Sequence, residues 1–90
     1  MTSNLDEWRK RLRFRAWHRG TRELDLIMGK FADRHMDTLD ENELAAFEAL
    51  LEENDVEVFG WVAGRAEPPE QHAALVALLR DLALTVEDFS

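Results

Sequence analysis

Side chains able to bind a metal are present in this sequence, but their spacing does not bring them together. The histidines His18, His35 and His72 each lack a second histidine or a carboxylate at the spacing that sets two ligands on one helix face. There is no cysteine, which excludes disulfides, thiolate metal sites and a thiol nucleophile. We therefore expect no metal site, and we expect each histidine to lie on the surface or at its rim.

Catalysis by carboxyl groups or on a bound nucleotide is no better supported. The 19 acidic residues follow the solvated faces of helical segments, and no pair stands out as a general acid and base. The four glycines are isolated from one another, so no glycine-rich loop exists to hold phosphates. The sequence predicts no catalytic residue, no cofactor-binding residue and a protein that is not an enzyme.

The cluster best suited to binding a protein is the turn Arg19–Glu23, for which two interpretations are open. It can be a plain connector, with Gly20 near the N-cap of a helix and Glu23 as the third residue of that helix; such connectors are common in helical bundles. Alternatively, Arg19 and Glu23 project beside the bare backbone of Gly20, where a partner chain can approach and form charge-assisted hydrogen bonds. A bulky residue at Gly20 is then expected to block the partner and to leave stability nearly unchanged.

Basic residues are concentrated in the predicted first helix, together with Trp8, Phe14 and Trp17. Such a strip could bind nucleic acid, lie on an anionic membrane, or act as a mitochondrial transit segment. However, it continues into a core helix without a spacer, and the acidic remainder of the chain repels phosphate. We favour a protein-docking face, with no nucleic acid and no membrane insertion.

The net charge of −8 conceals a division of the chain. Residues 1–34 carry nine of the eleven basic residues and a net charge of +4, whereas residues 35–90 carry a net charge of −12. This asymmetry suggests oriented docking onto a partner. The alternative is that the two parts neutralise each other through ion pairs within the fold.

Apolar residues recur at helical spacing in five segments, which predicts an all-α, compact five-helix bundle. The first two segments run from about Leu5 to Trp17 and from Thr21 to His35. The third begins at a capping box formed by Asp40 and Glu43, and the fourth runs from Asn54 to a stop at Gly64. The fifth has Pro68-Pro69 in its first turn and continues to Leu82. The predicted core consists of Trp8, Leu12, Leu24, Ile27, Phe31, Leu44, Phe47, Leu51, Phe59, Leu75, Leu78 and Leu79.

A chain of 90 residues can build one hydrophobic core. We expect a single domain over residues 1–90, with its core within residues 5–84 and a frayed tail at 85–90. No apolar run is long enough to cross a bilayer, and the polar and then basic start does not look like a signal peptide.

Two stretches, taken together, resemble a known family. The first is Trp17-His18-Arg19-Gly20-Thr21-Arg22-Glu23-Leu24-Asp25, with Phe31-Ala32-Asp33 after it. The second comprises Leu39-Asp40-Glu41-Asn42-Glu43, Phe47, Leu50-Leu51-Glu52, Asp55 and Phe59-x-Trp61. On these residues, from about Arg9 to Leu82, the chain resembles the SdhE family of succinate dehydrogenase flavinylation factors, whose mark is Arg-Gly-x-x-Glu. One departure is Val56, where many members have a proline that favours the start of the fourth helix.

The resemblance implies a chaperone-like assembly factor that binds the flavoprotein subunit of succinate dehydrogenase, and often that of fumarate reductase. In such clients a histidine becomes joined to the 8α carbon of FAD by the client's own groups. The factor holds histidine and flavin in alignment, which lowers the barrier without a catalytic side chain. FAD is handled on the client, and the factor, a monomer when free, binds no cofactor stably.

By matched position, the resemblance makes Arg19, Gly20 and Glu23 the partner-binding motif, with Trp17 and His18 flanking it. Phe59 and Trp61 are assigned to the core. Because the resemblance begins close to Met1, without room for a presequence, we expect a bacterial, cytoplasmic protein. The alternative function is a generic protein-interaction or antitoxin-like helical module.

Overall fold

The computed structural model describes residues 4–85, and helices account for all the regular structure within that range. The five α-helices are α1 Asn4–Trp17, α2 Arg22–His35, α3 Glu41–Leu51, α4 Asp55–Val62 and α5 Glu70–Ala83, and a short 3-10 turn, Met36–Thr38, follows α2. The predicted all-α fold of five helices is confirmed. The predicted fraying of the tail concerns chiefly residues 86–90, which lie outside the described range.

The start signals of α3 and α4 work as the sequence predicts. The Asp40 carboxylate accepts from the Glu43 amide at 2.8 Å, and the Glu43 carboxylate accepts from the Asp40 amide at 2.9 Å, which completes a capping box. The Asn54 side chain accepts from the Val56 amide at 2.8 Å and caps α4. Both caps satisfy amides that have no acceptor within the first turn of a helix.

Gly64 ends α4, as predicted. Its φ of +78° is a left-handed conformation that glycine adopts without strain. The Arg65 amide bonds back to the Gly60 carbonyl at 2.8 Å and the Gly64 amide to the Trp61 carbonyl at 3.2 Å, which is a Schellman motif. By contrast, the prolines precede α5: Pro69 is its N-cap and the helix begins at Glu70, so their predicted place in the first turn is wrong.

The core forms where α1 packs on α2 and α3, and where α5 packs on α2, α3 and α4. Most predicted core residues are buried; Trp8, Phe59 and Leu75 are only partly buried and pack against its edge. Trp61, also assigned to the core, is buried. The assignment of Leu78 to the core is wrong, since this side chain is 54% exposed. Val76 is the residue of α5 that is buried in its place. Leu75, Leu78, Leu79 and Leu82 are too wide a set for one stripe, so packing with the other helices decides which of them face inward.

His72 also departs from the prediction that it lies at the surface. It is 2% exposed, and its Nε2 lies 2.8 Å from a carboxylate oxygen of Glu53. Its ring packs beside that of Trp61, with the centroids 5.7 Å apart. His72 lies one helical turn before Val76, on the buried face of α5. The Glu53 carboxylate provides the polar partner that a buried imidazole needs.

The described helices were also compared with what a membrane span and a metal site require. None of the helices described is long and apolar enough to cross a membrane. Among residues 4–85 there is no group of three or more histidine, aspartate and glutamate side chains arranged to hold a metal ion.

Candidate partner-binding surface

Arg19 points into the protein, contrary to the expectation that it projects outward. Its side chain is 10% exposed, and its guanidinium donates to the carbonyl of Leu51, to the carbonyl of Glu53 at 2.9 Å and to Oδ1 of Asp55 at 2.6 Å. The acceptors lie at the end of α3 and the start of α4. Carbonyls at a helix end have no partner within the helix, so a cation is favourable there. Arg19 therefore joins the α1–α2 turn to the α3–α4 junction.

A second anchor of this turn is Asp25, a residue that no sequence pattern marks. Its Oδ1 accepts from the Arg19 amide at 2.5 Å and from the Gly20 amide at 3.1 Å. Thr21, and not Gly20, is the N-cap of α2, and its side chain makes no capping hydrogen bond. Glu23 is consequently the second residue of α2, so its predicted role as the third-residue carboxylate is wrong. Asp25 replaces it in binding amides that precede the helix.

Gly20 and Glu23 remain accessible at this turn. Gly20 is exposed and has a φ of +109°, in the region that side chains rarely adopt. Glu23 is half-buried, and its carboxylate forms no hydrogen bond or ion pair with another described residue. Of the predicted motif, then, Gly20 offers bare backbone and Glu23 offers a carboxylate that no other described residue binds.

Trp17 and His18 lie at different places. The Trp17 indole covers Gly29 of α2, where an added Cβ would come within 2.2 Å of the ring, and its Nε1 donates to Asp33 at 3.3 Å. His18 is exposed and stacks on Phe14 with the ring centroids 4.1 Å apart. Trp17 thus fastens α1 to α2, whereas His18 and Phe14 remain at the surface.

A groove beside the turn was not predicted from the sequence. It has a volume of about 390 Å³ and lies between the start of α2 and the outer side of α4. Thr21 and Glu23 line one side, and Val56, Phe59 and Gly60 line the other, with Arg65 at 5.4 Å from the centre of the Phe59 ring. We call it the α2–α4 groove. No sequence signal marks this groove, since a single exposed apolar residue such as Val56 is normal on a protein surface.

The basic residues of α1 fall into two groups. Arg15 binds Glu48 and Glu52 of α3 at 3.7 and 2.8 Å, so the basic and acidic parts of the chain do neutralise each other in part, as the alternative reading held. Lys10 and Arg11 are exposed and pair with no other described residue. The basic face available to a partner is therefore smaller than the sequence suggests.

Comparison with known proteins decides the family. The family described as the flavinator of succinate dehydrogenase matches residues 10–83, which include most of α1 and all of the other helices. The chain belongs to this family. Relatives in this family are named assembly factors, which bears out the prediction that this protein is not itself an enzyme.

Relatives from bacteria and from a eukaryote support the assignment to the flavinator family. An FAD assembly factor SdhE of Acetobacter pasteurianus is 44% identical over 70 residues, covering 78% of this chain and 64% of the relative. An FAD assembly factor SdhE of Legionella pneumophila (strain Lens) is 40% identical over 63 residues, covering 70% of this chain and 80% of the relative. A mitochondrial succinate dehydrogenase assembly factor 2 of Dictyostelium discoideum is 35% identical over 69 residues, covering 77% of this chain and 49% of the relative.

The chain thus spans less than two thirds of the Acetobacter factor and about half of the Dictyostelium factor. No solved structure matches it.

Proposed function

We propose that this protein is an assembly factor that binds the flavoprotein subunit of succinate dehydrogenase and promotes covalent attachment of FAD to a histidine of that subunit. The observation that carries the proposal is the match to the flavinator family over residues 10–83. Relatives named FAD assembly factor and succinate dehydrogenase assembly factor support it.

The contact surface in this proposal is the α1–α2 turn with Arg19, Gly20 and Glu23, flanked by Trp17 and His18. Gly20 and Glu23 are accessible to the client, and the contacts of Arg19 and Asp25 keep the turn in one conformation. A rigid surface loses little conformational entropy when it binds. By holding one client conformation, it can align histidine and flavin and lower the barrier by several kcal/mol without donating a catalytic group.

In this proposal FAD is bound by the client, and this chain binds no cofactor stably by itself. The flavoprotein subunit of fumarate reductase is a second client of the same kind. The free factor is a monomer in the bacterial cytoplasm. Equilibrium dialysis against FAD, with and without the client, tests whether this chain binds the cofactor. Light scattering gives the mass of the free factor and tests whether it is a monomer.

The main test is reconstitution of flavin attachment. The succinate dehydrogenase flavoprotein subunit, produced without covalent flavin, is incubated with FAD in the presence and absence of this protein, and covalent flavin is read as fluorescence on a denaturing gel. We expect attachment to be faster with the factor. A client lacking its acceptor histidine should show no fluorescent band and serves as the control. Equal rates with and without the factor would refute the proposed function.

A further inference from the structure

Three of the four glycines have a reason within the fold. Gly20 and Gly64 have positive φ values of +109° and +78°. Gly29 makes room for the Trp17 ring. Gly60 has neither reason: it lies within α4, and a Cβ built on it meets no described atom within 4 Å outside the helix's own backbone.

Glycine at such a position weakens the helix, because alanine fits there and loses less conformational entropy on folding. A residue that weakens its own helix, and that no contact among residues 4–85 explains, is expected at functional sites. Glycine is also the residue that allows the closest approach of another backbone. Gly60 therefore favours a contact with something other than residues 4–85.

The surroundings of Gly60 indicate what that contact is. Val56 stands one helical turn earlier and is 80% exposed, and Phe59 is half-buried beside it. Together they give the α2–α4 groove an apolar floor with a gap at Gly60. A side chain from a partner can occupy this gap while the partner backbone passes close to α4.

The charges at the two sides of the groove indicate which charge a bound segment should carry. Glu23 on the α2 side has no hydrogen bond or ion pair with another described residue, whereas Asp55 is already paired with Arg19. A half-buried carboxylate without a partner favours a cation close to it. Arg65, which lies over Phe59, occupies the opposite side.

We propose that the α2–α4 groove receives a segment of the flavoprotein client in which an apolar side chain, seated on Val56 over Gly60, stands next to a basic residue that pairs with Glu23. This inference rests on the proposed function and extends the docking surface from the turn onto α4. It assigns Val56 and Gly60 a role in specificity.

Substitutions at Gly60 separate binding from folding. Gly60→Ala should raise Tm by about 4–8 °C, since alanine favours the helix, yet weaken binding of the purified flavoprotein subunit a few-fold in calorimetric titration. Gly60→Gln should weaken binding roughly tenfold or more, because the longer side chain fills the gap. The matched control is Ala74→Gln, at an exposed position of α5 away from the groove, which should bind like the wild type. If both Gly60 variants are folded and bind with wild-type affinity, the groove proposal is wrong.

Cross-linking identifies the segment itself. The chain has no cysteine, so Val56→Cys gives a single thiol for attaching a photoreactive group. We expect the cross-link to the flavoprotein subunit to fall on an apolar stretch adjacent to lysine or arginine, and the same group on Ala74→Cys to give no such product. A cross-linked segment without a basic residue overturns the inference. Failure of the wild-type protein to bind the subunit at all refutes the proposed function as well, whereas wild-type binding that no groove variant changes refutes only the groove.

Discussion

The guanidinium of Arg19 donates to the carboxylate of Asp55 at 2.6 Å, across the junction of α3 and α4. The two side chains are 10% and 29% exposed, so this ion pair is largely shielded from water. The same guanidinium also donates to the carbonyls of Leu51 and Glu53. Arginine can serve all three acceptors because its donors form a rigid fork. In this protein the arginine of the Arg-Gly-x-x-Glu motif therefore stabilises the turn that carries Gly20 and Glu23.

Arg19→Ala should reduce the free energy of unfolding by about 2–4 kcal/mol, since it leaves Asp55 without its cation and two carbonyls without a donor. Arg19→Lys should restore only part of this, because an ammonium cannot reach all three acceptors in the same geometry. Urea denaturation measures both effects. Arg34→Ala, at an exposed arginine without a described partner, is the control and should stay within about 0.5 kcal/mol of wild type. An Arg19→Ala protein with wild-type stability and no client binding would make Arg19 a contact residue instead.

Gly20 needs a different test from the one that the sequence suggests. Because its φ is +109°, any side chain there is strained, so the sequence-based expectation that Gly20→Arg leaves stability nearly unchanged is wrong. We expect Gly20→Ala and Gly20→Arg to lose a similar amount, about 1–2 kcal/mol. The difference between the two in client binding then reports access to the turn. Binding should survive in Gly20→Ala and be abolished in Gly20→Arg; equal binding by the two would remove Gly20 from the docking surface.

Glu23 is the cleanest probe of the motif, because its carboxylate has no described partner to lose. Glu23→Gln keeps the shape and removes the charge. Its cost to stability should be under about 1 kcal/mol, the interaction of the carboxylate with the N-terminal end of the α2 dipole. The loss in binding free energy to the client should be larger than this loss in stability. The affinity that remains should also depend less on salt concentration than that of the wild type. The matched control is Glu41→Gln, which removes a carboxylate from the first turn of α3. Binding losses of the same size in both variants would contradict a specific role for Glu23.

The features that the sequence predicts correctly are local ones. The capping box of Asp40 and Glu43 and the stop at Gly64 are formed by residues within one or two turns of each other, so their identity and spacing suffice. The acceptors of Arg19 are 32, 34 and 36 residues away along the chain. Its burial depends on where α3 ends in space, which the spacing of residues near Arg19 does not specify.

The α2–α4 groove escaped prediction for the same reason. Glu23 and Val56 belong to different helices, and each taken alone is an ordinary surface residue. Only the packing of the helices brings them to one groove. Family resemblance indicated Glu23 by its motif, but Val56 departs from the usual residue of the family, and Gly60 falls at an unspecified position of the Phe-x-Trp element.

Gly29 gives a prediction opposite in sign to that for Gly60. Alanine is favoured over glycine in a helix by about 1 kcal/mol, but at Gly29 the added methyl collides with the Trp17 ring. We expect Gly29→Ala to destabilise the protein by about 1–3 kcal/mol in thermal unfolding. A double-mutant cycle with Trp17→Ala provides the control. The alanine at position 29 should become neutral or stabilising once the indole is absent; a cost that persists without the indole would show that Trp17 is not its cause.

Leu51 and Leu78 are both predicted from the sequence to lie in the core, but only Leu51 is buried. Leu51, at the end of α3, is 2% exposed, so Leu51→Ala should cost about 2–5 kcal/mol by leaving a cavity beneath the α3–α4 junction. Leu78 on α5 is 54% exposed, and Leu78→Ala should stay within about 0.5 kcal/mol of wild type. Both substitutions remove the same atoms from a helix, so their difference in urea denaturation reports burial alone. Similar losses for the two would mean that α5 turns Leu78 inward in solution, and the assignment of Val76 to the core in its place would be wrong.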